Sequence, residues 1–292
     1  MKKKILISTG GSGGHVIPAT ILYEHLHEKN DIIISTDNRG IRYLDKNVYK
    51  ILLIDTPKLN LLSLPLNFFK ILFLIIKSIL FLKKEKINFL FSTGGYMSLP
   101  LILAGKFLNL KIYLLEPNLV LGKANKFFLS SCKKIFCYAK QIKNFPEEYK
   151  NKKVIIHPLV RNEFYITKNL KINNDKFHLL VVGGSQGASI FDKNLKNSIL
   201  NISKKFSIKV IQQTHLNNLS SLKEFYAKNN VECDMFNYDK NFIDKVAVAD
   251  LCITRAGATT LAELSTLKVP FIAVPLPNSK DNHQFENANF YA

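Results

Sequence analysis

Near its N-terminus the chain reads ILISTGGSGGHVIPA, with four glycines (Gly10, Gly11, Gly13, Gly14) in five positions and His15 directly after them. An apolar run that stops in glycine predicts a buried strand turning into a helix. Such a turn suits a phosphate, because glycine lets backbone N–H groups approach an anion and the helix N-terminus favours negative charge. An imidazole titrates near neutral pH, so His15 is a candidate general base. A helix-start side chain and a plain polar loop residue are its other readings.

Three further turns have the same character: FSTGGYMSLP (91–100), LLVVGGSQGAS (179–189) and LCITRAGATTLAEL (251–264). Each follows a strand-like run and leads into a helical one. In an open α/β sheet, ligands bind outside the carboxyl ends of the strands, and all four turns fall at such ends. Together they point to a phosphate-bearing ligand held in a cleft between two halves. Glu263, one helical turn after Thr259 and Thr260, faces the loop end of its helix. It suits two ribose hydroxyls, or a capping box at the helix start. Gln284 and Asn287, in SKDNHQFENA, are neutral amides able to read sugar hydroxyls or simply to sit at the surface. Arg161, after HPLV, could approach a diphosphate or lie solvated. Glu116 is a second candidate base, although a carboxylate beside Pro117 at a strand end reads better as a structural acceptor.

Short β-branched runs alternate with helical patterns: KKILIST, NDIIIST, NFLFSTGG, LKIYLLE, KKIFCYA and KVIIHPL, then a second series from FHLLVVGG through SIKVIQQT, ADLCITRAGATT and PFIAVPLP. This alternation predicts parallel sheets covered by helices. The strand–glycine–helix opening occurs twice, so the expected fold is α/β with two doubly wound, Rossmann-like domains, residues 1–160 and 161–292.

The chain has 292 residues, 47% apolar and 22% charged, the balance of a globular protein. Lys and Arg number 41 against 22 acidic residues, a formal charge of +19, which favours anionic partners such as phosphorylated substrates or an acidic membrane surface. The lysines are scattered and no arginine-rich or RNP-like stretch occurs, so nucleic acid is not an expected partner. Cys132, Cys137, Cys233 and Cys252 form no CxxC pair, which argues against zinc. Cys252 reads as a small core residue, and without a recognisable signal peptide free thiols in the cytoplasm are expected.

One segment stands apart. LNLLSLPLNFFKILFLIIKSILFLKK (59–84) is long enough to cross a bilayer but is interrupted by Asn67, Lys70 and Lys77. On a helical wheel Ser63, Asn67, Lys70, Lys77 and Ser78 share an arc of roughly 100°, a single polar stripe on an otherwise apolar helix. Its wide apolar surface is either buried on both flanks or partly set against lipid, with Lys83 and Lys84 near headgroups. A spanning helix is rejected.

Three classes remain open on the residues alone. A dehydrogenase would use the first loop with Asp37 on a ribose, but GGSGGH lacks the G-x-G-x-x-G order and the second glycine-rich half is left without a role. A nucleotide-sugar transferase gives both halves a task. A membrane-docking subunit has the apolar helix as its one positive sign.

GGSGGHVIPA, STGGYMSLP, EPNLVLGKANKFF, HPLVR, GGSQGA, RAGATTLAEL and KDNHQFENA occur in an order that resembles the MurG family of bacterial glycosyltransferases, family 28. The resemblance covers essentially the whole chain. It implies the GT-B fold, a peripheral position at the cytoplasmic face of the inner membrane, and no cofactor or metal. The implied reaction is inverting transfer of N-acetylglucosamine from UDP-N-acetylglucosamine to the C4 hydroxyl of undecaprenyl-pyrophosphoryl-N-acetylmuramyl-pentapeptide, lipid I to lipid II. By the same resemblance Ser12, Gly13 and Gly14 approach the donor, and His15 is the general base. Gly94, Gly95 and Tyr96 receive the lipid pyrophosphate. Asn118 lies near the donor sugar, Ser185 and Arg161 contact the donor, and Gln284 contacts N-acetylglucosamine. Ala258, Thr259, Thr260, Leu261, Ala262 and Glu263 form the nucleotide turn and its ribose acid. HPLVR replaces the usual GNPVR. Family members continue past the point where FENANFYA stops, which makes the second domain incomplete by that pattern and leaves an inactive UDP-sugar-binding relative as the alternative.

Overall fold

A computed structural model of the chain describes residues 2–57, 64–168, 176–237, 239 and 241–292, with the backbone alone at 64–66 and 185–188. The chain divides into two compact units, Met1–Leu159 and Val160–Ala292.

The strands of the first unit are near-continuous apolar runs, as strands buried on both faces must be. They are β1 (Lys3–Ser8), β2 (Asn30–Thr36), β3 (Ile51–Leu53), β4 (Phe89–Ser92), β5 (Lys111–Glu116), β6 (Lys134–Cys137) and β7 (Lys153–Ile155). They form one all-parallel sheet in the order β3-β2-β1-β4-β5-β6-β7. Its helices are α1 (Gly13–Leu26), α2 (Leu64–Lys84), α3 (Leu99–Phe107) and α4 (Lys123–Phe128). Leu6, Ile33, Leu90, Ile112, Leu114 and Ile135 pack with Leu82 of α2, Leu101 and Ile102 of α3 and Phe128 of α4. On the other face Ile5, Ile7 and Ile32 meet Ala19 and Leu22 of α1. Strand order reverses between β1 and β4, so the glycine turns that follow these two strands lie side by side at the switch point.

Helix α2 departs from the expected polar stripe. Asn67 and Ser78, two of its members, are buried with Ile71 and Leu82, whereas Lys70 and Lys77 point outward among exposed Phe68, Phe69, Leu72, Phe73, Ile76 and Leu80. Residues 71, 78 and 82 share one face at helical spacing, and that is the face the core selects. The part of the stripe at Ser63 lies outside the described residues.

The second unit opens with α5 (Asn162–Ile166) and carries β8 (Phe177–Val182), β9 (Ile208–Gln213), β10 (Glu232–Phe236), β11 (Leu251–Thr254) and β12 (Phe271–Ala273). The sheet is again parallel, ordered β10-β9-β8-β11-β12. Helices α6 (Gly184–Asn194), α7 (Lys196–Ser203), α8 (Leu216–Lys228), α9 (Phe242–Ala247), α10 (Ala258–Thr266) and α11 (His283–Tyr291) complete it. Leu180, Val182 and Cys252 pack with α9 and α10; Val181 and Val210 pack with Phe191, Leu222 and Tyr226. The switch point falls between β8 and β11. All four cysteines are free thiols. Burial pushes the Cys137 thiol up to about 12, with Glu116 adding to the effect, and holds Cys252 higher still, so both are inert core residues.

Candidate functional site

In the first unit three loops meet at the carboxyl ends of β2, β1 and β4. Gly10, Gly11, Gly94 and Gly95 all have positive φ, and side chains at Gly10, Gly94 and Gly95 would also crowd their neighbours. A Cβ on Gly95 would lie 2.4 Å from Met97 Sδ and 3.3 Å from the Gly10 carbonyl oxygen. The loops are thus bare backbone by steric necessity. Asp37, 4% exposed at the end of β2, fastens two of them: Oδ1 accepts the N–H groups of Gly11 (2.8 Å) and Gly40 (2.9 Å). Its Oδ2 accepts from Arg39 Nε (2.9 Å), with Nη2 also at 2.9 Å. Burial opposes the charge on Asp37, but these donors outweigh it and hold the carboxyl below the usual range.

His15, in the first turn of α1 and half-buried, places Nδ1 2.9 Å from the Thr93 carbonyl oxygen. A carbonyl only accepts, so Nδ1 carries the proton and the lone pair of the neutral ring resides on Nε2. The Thr93 hydroxyl lies 2.9 Å from the His15 carbonyl and 2.8 Å from the Thr9 hydroxyl, joining the two turns again. A Cβ on Gly94 would sit 3.2 Å from His15 Cε1 and Nδ1, so the ring rests on that glycine. Ser12 and Gly13 are half-buried and Gly14 is exposed; Ser12 stands at the N-cap of α1 without a side-chain cap bond. Tyr96 donates its hydroxyl to the Thr56 carbonyl (2.7 Å), and burial raises its pKa.

Glu116, 3% exposed at the end of β5, accepts from the backbone and side chain of Asn118, from Gly122 N–H and from Asn125 Nδ2. With four donors on its oxygens it holds the EPNLVLG loop together and is not a base. Asn118 turns its amide nitrogen to that carboxylate (3.1 Å).

In the second unit the turns after β8 and β11 are adjacent. Helices α6 and α10 both begin without a side-chain bond from the N-cap residue and without an acid in the first turn, so no carboxylate of the first turn offsets their positive ends. Gly184 (φ +64°) donates its N–H to Gln213 Oε1 (2.9 Å). The Ser185 side chain lies outside the described residues. Ala258, Thr259 and Thr260 are half-exposed at the start of α10, whereas Leu261 and Ala262 turn into the core. Glu263 is 2% exposed and makes no capping box; its Oε1 accepts from Arg161 Nε at 2.7 Å. The structure therefore joins two residues that the sequence suggested for different jobs. The Arg161 guanidinium also lies over Phe164 (5.1 Å) and Phe242 (5.6 Å). Gln284 Oε1 accepts the Leu276 N–H (2.8 Å), and buried Asn287 donates to the Ala256 carbonyl (3.1 Å), tying α11 to the RAGA turn.

Two arginines escaped sequence reasoning. Arg255, 7% exposed, donates Nη1 to the carbonyls of Val274 (3.0 Å) and Pro275 (3.1 Å) and stacks over Phe191, joining the loops after β11 and β12 to α6. Its signal was a charge directly after a buried strand. Arg39 is the second; its signal was an arginine two residues after a strand-end aspartate. Among the described residues no group of His, Cys, Asp and Glu is arranged to hold a metal ion.

The glycosyltransferase family 28 N-terminal domain matches residues 5–137, and the family's C-terminal domain matches residues 178–292. The UDP-N-acetylglucosamine–N-acetylmuramyl-(pentapeptide) pyrophosphoryl-undecaprenol N-acetylglucosamine transferase of Pelagibacter ubique is 51% identical over 293 residues, covering 100% of this chain and 82% of that protein. The transferase of the same description from Rickettsia canadensis is 36% identical, covering 99% of this chain and 83% of its own length. The crystal structure of Acinetobacter baumannii MurG superposes with a TM-score of 0.75 at 26% identity, covering 99% of this chain and 82% of that one.

Gly94→Ala should strain a backbone at φ +95° and push the His15 ring off Thr93. The expected result is a stability loss of about 1–3 kcal/mol by urea denaturation and an altered ¹⁵N pattern of the His15 imidazole. Asp37 ionises more readily folded than unfolded, so its contribution is present above about pH 4 and is lost as pH falls through its lowered value. Asp37→Asn should flatten that acid limb in a pH series of denaturation curves.

Proposed function

Because this chain belongs to glycosyltransferase family 28 and is a MurG-type N-acetylglucosamine transferase that converts lipid I to lipid II, we infer which of its residues carry the reaction and what surface it works on. The observation that bears most weight is the His15 Nδ1–Thr93 bond, since it leaves a basic Nε2 at the switch point of the first unit. His15 takes the proton of the muramic acid C4 hydroxyl as that oxygen attacks C1 of the donor. The C1–O bond to UDP breaks, its electron pair leaves on the diphosphate, and the anomeric centre inverts. Ser12, Gly13 and Gly14 line the approach to the donor, and Gly94, Gly95 and Tyr96 form part of the cradle for the acceptor's pyrophosphate.

The second unit takes the nucleotide. Charge that develops on the leaving diphosphate meets the N-termini of α6, with Ser185, and of α10, with Ala258, Thr259 and Thr260. Leu261 and Ala262 shape this turn from within. Glu263, oriented by Arg161, accepts the ribose hydroxyls, and Asn118 and Gln284 read the donor sugar. No cofactor takes part in this scheme.

No helix among the described residues is long and apolar enough to cross a membrane. The exposed face of α2 supports peripheral docking instead. Phe69, Phe73, Ile76 and Leu80 offer apolar contact, and Lys70, Lys77, Lys83 and Lys84 suit anionic headgroups at the cytoplasmic face of the inner membrane. That position brings the enzyme to a lipid-linked acceptor.

In a transferase assay with UDP-N-acetylglucosamine and a lipid I analogue, His15→Ala should lower kcat by roughly 10²- to 10⁴-fold while UDP binding persists. Undiminished turnover would sink the base assignment. Phe73→Asp, at a side chain 66% exposed, should leave the thermal unfolding curve unchanged and abolish co-sedimentation with anionic vesicles. Unaltered sedimentation would remove α2 as the docking face.

A further inference from the structure

The loops of the first unit hold a cation that the scheme above does not use. Arg39, on the loop after β2, is anchored along one edge: Nε and Nη2 both lie 2.9 Å from Asp37 Oδ2. Asp37 is its sole partner among the described residues, and 52% of its side chain is exposed, so the Nη1 edge faces outward. The nearby carboxylates are both engaged: Asp37 by Gly11, Gly40 and Arg39, and Asp55 by Asn38. A guanidinium fixed on one edge and open on the other is pre-organised for an oxyanion, since little side-chain freedom is left to lose on binding.

Its position relative to His15 is informative. The His15 ring rests on Gly94; the Cβ position of the next residue, Gly95, is 3.3 Å from the Gly10 carbonyl; that of Gly11 is 3.5 Å from Arg39 Nη2. A continuous strip thus runs from His15 through Gly94, Gly95, Gly10 and Gly11 to Arg39, with positive φ at all four glycines. The acceptor has matching polarity: its reacting C4 hydroxyl and its C1-linked pyrophosphate stand at opposite ends of one pyranose ring. A ring laid along the strip with its hydroxyl at His15 directs its pyrophosphate toward Arg39.

We propose that Arg39, oriented by Asp37, is the charged ligand for the acceptor's pyrophosphate and so fixes which end of the muramyl ring meets His15. The proposal rests on reading the first unit's glycine loops as the acceptor cradle. The Gly11 and Gly95 backbones provide close approach, and Arg39 provides a fork that a lysine cannot reproduce.

Steady-state kinetics on the full chain test it, with thermal unfolding as the check that each variant is folded. Arg39→Gln should raise the KM for a lipid I analogue roughly 10- to 100-fold and leave the KM for UDP-N-acetylglucosamine unchanged, with Arg39→Lys only partly restoring it. Gly95→Ala, whose added methyl meets Met97 and the Gly10 carbonyl and no atom of Arg39, crowds the strip without touching the charge and separates the two levels of inference. An unchanged acceptor KM in Arg39→Gln beside a raised one in Gly95→Ala overturns the role of Arg39 and spares the cradle. If neither variant moves it, the cradle reading falls too. Should Arg39→Gln not fold, phenylglyoxal labelling of the unaltered protein decides. Geranyl pyrophosphate should shield Arg39 from modification in peptide mass spectra, and equal labelling with and without it overturns the proposal.

Discussion

One hydrogen bond organises the first unit's chemistry: His15 Nδ1 to the Thr93 carbonyl, 2.9 Å across the point where strand order reverses. The bond selects a tautomer and so decides which nitrogen is basic. It also demands that two turns from strands β1 and β4 run close together, which only bare backbone allows. Gly94 lies under the imidazole, and Gly95 lies against Gly10 and Met97. The positive φ values of these glycines follow from that crowding. Asp37 then fixes the outer edge by holding Gly11 and Gly40, which accounts for a buried carboxylate at the end of β2 without any nucleotide ribose. A dehydrogenase would need that carboxylate free for its cofactor; here its oxygens are committed to the loops.

Much of the fold was legible because parallel strands buried on both faces leave long β-branched runs, and ten of these can be read directly. β3 and β10 are the strands that the patterns did not reveal. Both are edge strands: β3 is three residues long, and β10 reads ECDMF, half-exposed and charged at its start. An edge strand is held by backbone pairing on one side, so its side chains are not constrained to be apolar. The glycine turns and His15 were legible for a related reason, since close backbone approach restricts residue type. Arg39, Arg255 and the Arg161–Glu263 pair were not. Their roles depend on contacts between loops from different strands, and spacing along the chain carries no record of such contacts.

The Arg161–Glu263 pair changes how the second unit is understood. A carboxylate only 2% exposed would be costly to hold ionised without a partner, and a guanidinium 2.7 Å away supplies one. The rings of Phe164 and Phe242 against Arg161 limit its rotamers, so the carboxylate is positioned as well as neutralised. Removing the arginine would leave a buried charge behind, a loss on the order of 3–5 kcal/mol, so the two residues behave as one unit in any binding measurement. Such coupling means that single substitutions here report on the pair and not on either member.

Helix α2 carries the same reasoning to the surface. The helical wheel gathers Asn67, Lys70, Lys77 and Ser78 into one polar stripe, and the fold splits that stripe. The core instead took Asn67 and Ser78 inward and left Phe68, Phe69, Phe73 and Leu80 at 60–66% exposure. At about 25 cal/mol per Å² of apolar surface, four such side chains held in water forgo several kcal/mol that a different rotation of the helix would recover. Rotation is blocked, because Ile71, Ser78 and Leu82 are fixed in the interior and the crossover from β3 to β4 must pack on α3. A helix held in that orientation carries its lysines among the exposed apolar side chains, and the docking proposed above gives that face an outlet in a lipid surface. In the proposed docking, the arrangement that wastes apolar burial in water becomes the source of membrane affinity, and this crossover helix thereby tolerates a sequence too greasy for an ordinary exposed one.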